Sequence, residues 1–298
     1  MLLALEIPDY VGFDNPQKNT GDMYTNGFEL DLGWSDQVND WSYSVAVNFS
    51  DFVSKMGDLG GTQFLGDQVK MEGSEFNEWY GYVSDGLILT EEDLAGPQIN
   101  NNAQIGDIKY VDISGPDGKP DGKITPDYDR VLLGGSLPRF TYGGNVSVGY
   151  KGFDLSMAFQ GVGRQNVRYS TVMVQPLREN YGNVPNIIDG NYWSSKNSEI
   201  QNAEAFYPRL TYANASSNYA MSDYWLFNGR YFRLKNLTLG YTLPKSLTEK
   251  ASIKHARIYV SGNDLFCISK FPKGWDPEMG SSAYPITTSL LFGVSVNF

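Results

Sequence analysis

The stretch RFTYGGNVSVGYKGFDLSMAFQG, Arg139 to Gly161, repeats with a period of two rather than 3.6. Phe140, Tyr142, Val146, Val148 and Tyr150 share one parity, with Thr141, Asn145, Ser147 and Gly149 between them. After the short link Lys151-Gly152 the pattern restarts, with Phe153, Leu155, Met157 and Phe159 against Asp154, Ser156, Ala158 and Gln160. Such alternation gives a strand one apolar face and one polar face.

The same style recurs outward from this stretch. WSYSVAVNF sets Trp41, Tyr43, Val45, Val47 and Phe49 against Ser42, Ser44, Ala46 and Asn48, and GFELDLGW sets Phe28, Leu30, Leu32 and Trp34 against Glu29, Asp31 and Gly33. In YFRLKNLTLGYTL the phase slips: Phe232 and Leu234 have one parity, Leu237, Leu239 and Tyr241 the other. A β-bulge near Lys235–Asn236 accounts for the slip. ARIYVSGN is weaker, and SLLFGVSVNF alternates up to Phe298.

Two architectures share this pattern. A sandwich buries the apolar face against a second sheet, whereas a membrane barrel turns it to lipid and keeps the polar face inside. Three features favour the barrel. Several runs reach the ~9–11 residues that a tilted strand needs to cross a bilayer. Aromatics gather near strand ends, at Trp34, Trp41, Phe140, Tyr150, Phe153, Tyr241 and Phe298, as interfacial girdles do. Expected strands at 23–35, 40–53, 62–72, 76–89, 138–150, 152–163, 229–243, 254–267 and 285–298 are joined by links that alternate short and long, apart from a modest exception at 53–61. Links as long as 90–137 and 164–228 are rare in compact soluble domains.

The fold class expected is therefore all-β: an antiparallel transmembrane β-barrel fragment with short periplasmic turns and long extracellular loops. An intact barrel begins and ends in the periplasm, so an odd count of about nine strands implies missing N-terminal strands. Residues 1–298 are read as the C-terminal part of a larger barrel. A net charge of −11 argues against a nucleic-acid partner. The lone Cys267 excludes an internal disulfide, and the lone His255 excludes a His-built metal site.

Several segments, taken in order, resemble the C-terminal barrel of SusC/RagA-family TonB-dependent outer-membrane transporters. They are QKNTGDMYTNGFELDLGW, the Tyr-Gly-Tyr of EWYGYVSDGL, the run from GDIKYVDISG through DGKITPDYDRVLLGGSLPRF to the opening hairpin, YFRLKNLTLGYTLPKSL, and ARIYVSGNDLFCISKFPKGWDPEM. The resemblance implies a barrel of about 22 strands filled by an N-terminal plug, with the plug and further strands absent from this sequence. It implies a SusD-like surface lipoprotein as partner, TonB engaged through the missing plug, and uptake of glycans or oligopeptides across the outer membrane of a Gram-negative bacterium. The fragment alone is not expected to transport. The alternative is a surface glycan-binding β-protein without transport activity.

Some residues stand out as candidates. Tyr192, Trp193, Tyr207, Tyr224, Trp225 and Trp275 lie in the long links, where flat rings suit sugar stacking, contact with a lid protein, or packing of the loops together. Phe292, Val294, Val296 and Phe298 form an alternating terminus that resembles the signal read by the barrel assembly machinery, and they face outer-membrane lipid. Asp112, Asp117, Asp121, Asp127 and Asp129 offer hard oxygen ligands for Ca2+. The EF-hand spacing fails there, because Lys119 takes a ligand position and Tyr128 stands where the bidentate acid belongs; a solvated turn is the competing reading. No Gly-x-Ser-x-Gly elbow, His-Glu-x-x-His or phosphate-binding loop is present, so no enzyme is expected and no catalytic residue or other cofactor is assigned.

Overall fold

The computed structural model describes residues 2–4, 12, 17–19, 21–168, 177, 184–211, 217–279 and 284–298. Residues 280–283 of the last link lie outside them. The chain forms two compact units, one of residues 1–24, 54–137 and 166–227, the other of residues 25–53, 138–165 and 228–298.

The second unit is built on a seven-stranded sheet. Its strands are β1 (Met23–Val38), β2 (Trp41–Met56), β3 (Arg139–Tyr150), β4 (Phe153–Arg164), β5 (Tyr231–Thr242), β6 (His255–Ser269) and β7 (Ser289–Asn297). They lie in chain order, each beside the next, as an up-and-down meander. The opening stretch is the β3–β4 hairpin, running from Tyr150↔Phe153 to Arg139↔Arg164. Its two turn residues, Lys151 and Gly152, both have positive φ, the conformation that matches the twist of paired strands.

The alternation becomes two faces. Register places Trp41, Tyr150, Phe153 and Tyr241 side by side on the apolar face near the short turns. The rings of Trp41 and Tyr150 are 4.3 Å apart, those of Phe153 and Tyr241 4.4 Å. A second aromatic row crosses the same face near the other strand ends. Phe28 and Phe49 stand at 5.6 Å, Phe159 and Phe232 at 5.7 Å, and Phe232 and Phe266 at 6.3 Å. From Phe153 to Phe159 the strand rises about 20 Å, and from Tyr241 to Phe232 about 30 Å. Between the rows lie aliphatic side chains left open to the surroundings, such as Leu155 and Leu239.

The bulge expected near Lys235 is present. Asn236 and Leu234 face the adjacent residues Ala158 and Phe159 of β4, so β5 carries one extra residue there. Against β6 the same two residues face Asn263 and Phe266, so β6 carries one more again. A second irregularity lies at Phe140, whose φ is +55°. Asp51 pins it by accepting from the Phe140 N–H at 3.1 Å and from both arms of Arg139 at 2.5 and 2.6 Å.

Two of the nine expected strands do not join this sheet. Segments 62–72 and 76–89 break into Gln63–Leu65, Gln68–Lys70, Glu78–Gly81 and Ser84–Leu87. The first three line up in chain order in a small four-stranded sheet that Val131–Gly134 completes beside Glu78–Gly81, and Ser84–Leu87 pairs with Ile108–Tyr110. The cause is local. Gly66, Gly73, Asn77 and Gly86 all take positive φ and interrupt the extended chain every few residues. The apparent exception at 53–61 thus dissolves, because residues 57–138 form one long excursion between β2 and β3.

Candidate functional site

The polar face of the seven-stranded sheet carries paired side chains rather than isolated ones. Thr238 and Ser261 hydroxyls meet at 2.7 Å, and the Asn236 amide donates to Asn263 at 2.8 Å. Arg257 of β6 reaches past β5 to Asp154 of β4, with both contacts at 2.5–2.9 Å. It passes over Gly240, where any Cβ would collide with the guanidinium.

A groove of about 570 Å³ opens on this face, with side chains of Asn48, Thr141, Asn145, Gln160, Tyr231 and Lys235 around it. Its floor is low because Gly143 and Ala158 occupy the middle strands. Register explains the grouping: Asn48, Gly143 and Gln160 form one cross-strand row, and Ala46, Asn145 and Ala158 the next. At one edge stands the buried Arg233, in contact with Asp276, 2.6 Å from Glu278 and 3.8 Å from Asp264. Lys235, set in the bulge, lies 2.6 Å from the same Asp264. Asp276 and Glu278 belong to the WDPEM segment, so charge pairing fastens that link to the polar face of β5.

The first unit gathers its long links around a different kind of centre. Asp107 is fully buried and accepts from Arg209 at 2.6 and 3.1 Å, from the Asn218 amide at 2.8 Å and from the Gln104 N–H at 2.9 Å. Asn218 also accepts from the Ile108 N–H at 2.8 Å, while its carbonyl accepts from the Trp225 indole at 2.6 Å. An aromatic cluster joins Phe206, Tyr207, Tyr219, Tyr224, Trp225 and Phe227. Burial pushes the Tyr207 hydroxyl up to about 12 and raises that of Tyr110 as well. Nearby, Thr90 caps the short helix Glu91–Ala95 reciprocally with Asp93, which also accepts from Lys109 at 2.9 Å. The bond to Lys109, then that to Thr90, holds the Asp93 carboxyl down at about 2.

The aromatic candidates separate. Tyr207 and Trp225 are buried in the cluster, Tyr224 stacks on Phe206 at 5.2 Å, and Tyr192 bridges to Tyr207. Trp193 packs on Gly106. These five sit in one loop core. Trp275 belongs to the second unit, one residue before Asp276. In the aspartate-rich loop the carboxylates are spent on backbone donors. Asp129, fully buried, accepts from the N–H groups of Ile113, Ser114 and Thr125 at 2.7–3.1 Å, Asp112 from Gly122 and Asp121 from Lys123. Burial pushes the Asp129 carboxyl up, and those three bonds outweigh it and bring it below the ordinary range. Asp117 and Asp127 lie exposed. Among the described residues no three acidic, His or Cys side chains converge as a metal site. Phe292, Val294 and Val296 line one exposed face of β7 and Phe298 follows its end, with Phe292 84 % exposed.

Sequence reasoning missed Asp107, Arg209, Asn218 and Arg233. Each lies in a segment quoted for its resemblance or in a long link, and none carries a local pattern that announces burial. Asn48, Asn145 and Gln160 were legible only as members of a polar face.

No protein-family model matches the sequence. The TonB-dependent receptor P3 of Formosa agariphila is 28 % identical over 93 % of this chain and 27 % of its own length. The TonB-dependent receptor SusC of Bacteroides thetaiotaomicron is 23 % identical over 100 % of this chain and 29 % of its own. The solved structure of the RagAB peptide importer in its open-open state superposes with a TM-score of 0.72 at 22 % identity, over 100 % of this chain and 31 % of that one. The last is a likeness of fold. This chain spans less than a third of the length of each of these relatives.

Proposed function

We propose that the chain is a segment of a SusC/RagA-type TonB-dependent receptor of the Gram-negative outer membrane, and that the receptor carrying it imports glycans or oligopeptides in a TonB-dependent way. The single observation that supports this reading is the two-faced meander. Its apolar face is bounded by two aromatic rows about 20–30 Å apart, close to the ~25 Å band of outer-membrane barrels. In this reading the seven strands are part of a closed barrel wall, the apolar face meets lipid and the polar face looks into the lumen. The long links of the first unit lie outside the cell, where a SusD-like lipoprotein would meet them. Tyr192, Trp193, Tyr224 and Trp275, none of them fully buried, are the rings available for such contact. Phe292, Val294, Val296 and Phe298 form the edge that the assembly machinery reads. The named relatives are receptors and an importer rather than enzymes, which fits a binding and transport role.

The test is fractionation and uptake. The receptor is expected in outer membranes, migrating faster on gels before heating than after, and its removal abolishes energised uptake of its cargo. Recovery as a soluble monomer would sink the barrel reading; sugar binding at the cell surface with no uptake would favour a binding protein instead.

A further inference from the structure

We infer that Arg230 and Lys270, at the outer margin of the apolar face of the second unit, hold the phosphate of an anionic lipid in the outer leaflet of the membrane. This rests on the barrel reading, in which that face meets lipid and the long links lie outside the cell, and adds a lipid site to it.

The two cations are neighbours by register. The β5–β6 ladder ends at Tyr231↔Ser269, with Phe232↔Ile268 one step inside it. Arg230 precedes Tyr231 and Lys270 follows Ser269, so the two stand across from each other at the mouth of that strand pair. Both line one groove with Phe232 and Ile268. Phe232 belongs to the second aromatic row, and Arg230 lies two residues, about 7 Å, beyond it along the strand.

Neither charge is answered within the chain. Arg230 and Lys270 are exposed, and neither side chain has an ion-pair partner among the described residues. Elsewhere on the sheet Arg139 meets Asp51, Arg233 meets Asp276 and Arg257 meets Asp154. The chain carries a net charge of −11, so carboxylates are plentiful, yet none is placed here. Like charges directly across a strand pair repel. A phosphate between them removes that repulsion, with the Arg230 fork taking two oxygens and Lys270 adding a point charge.

The groove supplies the apolar half of the site. It holds about 440 Å³, and the rings of Tyr142 and Phe232 and the side chain of Ile268, 65 % exposed, stand around it. Gly161 of β4 faces Phe232, and the Tyr142 ring lies where a Gly161 side chain would need to be, its hydroxyl donating to the Tyr231 carbonyl at 3.1 Å. An acyl chain fits against these groups, while long cationic side chains reach from such a surface to the headgroup level. A purely apolar occupant would leave both charges unanswered, and a free anion would leave the groove unfilled.

The test uses the receptor purified in detergent, with bound lipid read by native mass spectrometry. The probes are lipid A (a phosphorylated glycolipid of outer leaflets), its dephosphorylated form and inorganic phosphate. Lipid A is expected to bind, and Arg230→Gln with Lys270→Gln should weaken it about tenfold or more, the loss of two charge-assisted hydrogen bonds. The dephosphorylated form should bind the parent about as weakly as lipid A binds the variant. Lys151→Gln, at the short-turn end of the sheet, is the charge control and should change nothing. Both substituted positions are exposed, so the heat-dependent gel shift of the variant should match the parent and show that it has folded. Inorganic phosphate bound as tightly as lipid A, equal binding by parent and double variant, or an equal loss in Lys151→Gln would each overturn the lipid site and leave the barrel reading intact. A parent that shows no heat-dependent shift and stays soluble without detergent overturns the barrel reading itself.

Discussion

The two units bury their side chains in opposite ways. The ten bulkiest fully buried side chains among the described residues, from Trp225 and Tyr207 to Asp107 and Asp129, all lie in the loop-rich unit. The seven-stranded unit instead leaves its apolar face open, with Phe153 at 55 %, Val294 at 68 % and Phe292 at 84 % exposed. One unit makes its own interior from short strands, turns and a buried polar network. The other is a wall whose apolar side has to be met by something outside the chain's own fold. Length of strand does not make a core; having two sides to close does.

That contrast can be broken from either side. The largest effect is expected at Asp107→Ala, which strands the Arg209 guanidinium and the Asn218 amide and should cost the loop unit about 3–5 kcal/mol. Unfolding followed by proteolysis within 184–211 would register it, while the heat-dependent gel shift expected of the receptor stays unchanged. Loss of that shift would mean the two units do not separate in this way. Next comes a pair of neighbours on β4. If the apolar face meets lipid as proposed, Leu155→Arg should cost about 2–4 kcal/mol of stability in a bilayer, against about 0.5 kcal/mol or less for Ser156→Arg on the polar face. Equal effects in a folding titration into vesicles would refute the assignment of faces.

Gly81 tests the Tyr-Gly-Tyr element. A Cβ there would run into the backbone of Met221, so Gly81→Ala should cost about 1–3 kcal/mol, seen as a lower unfolding midpoint of the loop unit. The smallest effect belongs to Asp93→Asn, about 1 kcal/mol for the lost cap and ion pair. Its pH dependence has a fixed sign. The folded carboxyl titrates at about 2, below its ordinary 3.8. The unfolded state therefore binds more protons in between, and stability rises with pH there. The contribution is complete above about pH 4 and fades as pH falls toward 2. The Asn variant should lack that component of the slope.

The sheet was legible because alternation is a property of neighbours in sequence. Trp41, Tyr150, Phe153 and Tyr241 announce their shared face one strand at a time, and Lys235 betrays the bulge by a single slipped parity. The loop unit was not legible for the converse reason. Asp107 meets Arg209 and Asn218 across about a hundred residues of chain, and nothing beside any of them marks the meeting. Segments 62–72 and 76–89 misled because they are rich in aromatic and aliphatic residues that suit strands, while their turn residues, Gly66, Gly73, Asn77 and Gly86, reverse the chain. Of the candidate site, the aromatic residues stood out in the long links, but which ring meets which was not legible. The groove amides were visible only as polar spacers, since grouping Asn48 with Asn145 and Gln160 takes the register of three strands.

The bulge shared by β5 and β6 bears on how such a wall can change over evolutionary time. Relative to β4, β5 carries one extra residue and β6 two. One extra residue turns every later side chain to the other face, whereas two restore the original facing. A lineage can therefore gain or lose residues at 264–265 in pairs with little consequence for the remainder of β6. A change of one residue must come with a bulge to absorb it, as at Lys235, or it turns polar side chains onto the apolar face along the rest of the strand. Gaps between related chains at this point are expected to fall in twos on β6 and to coincide with a bulge on β5.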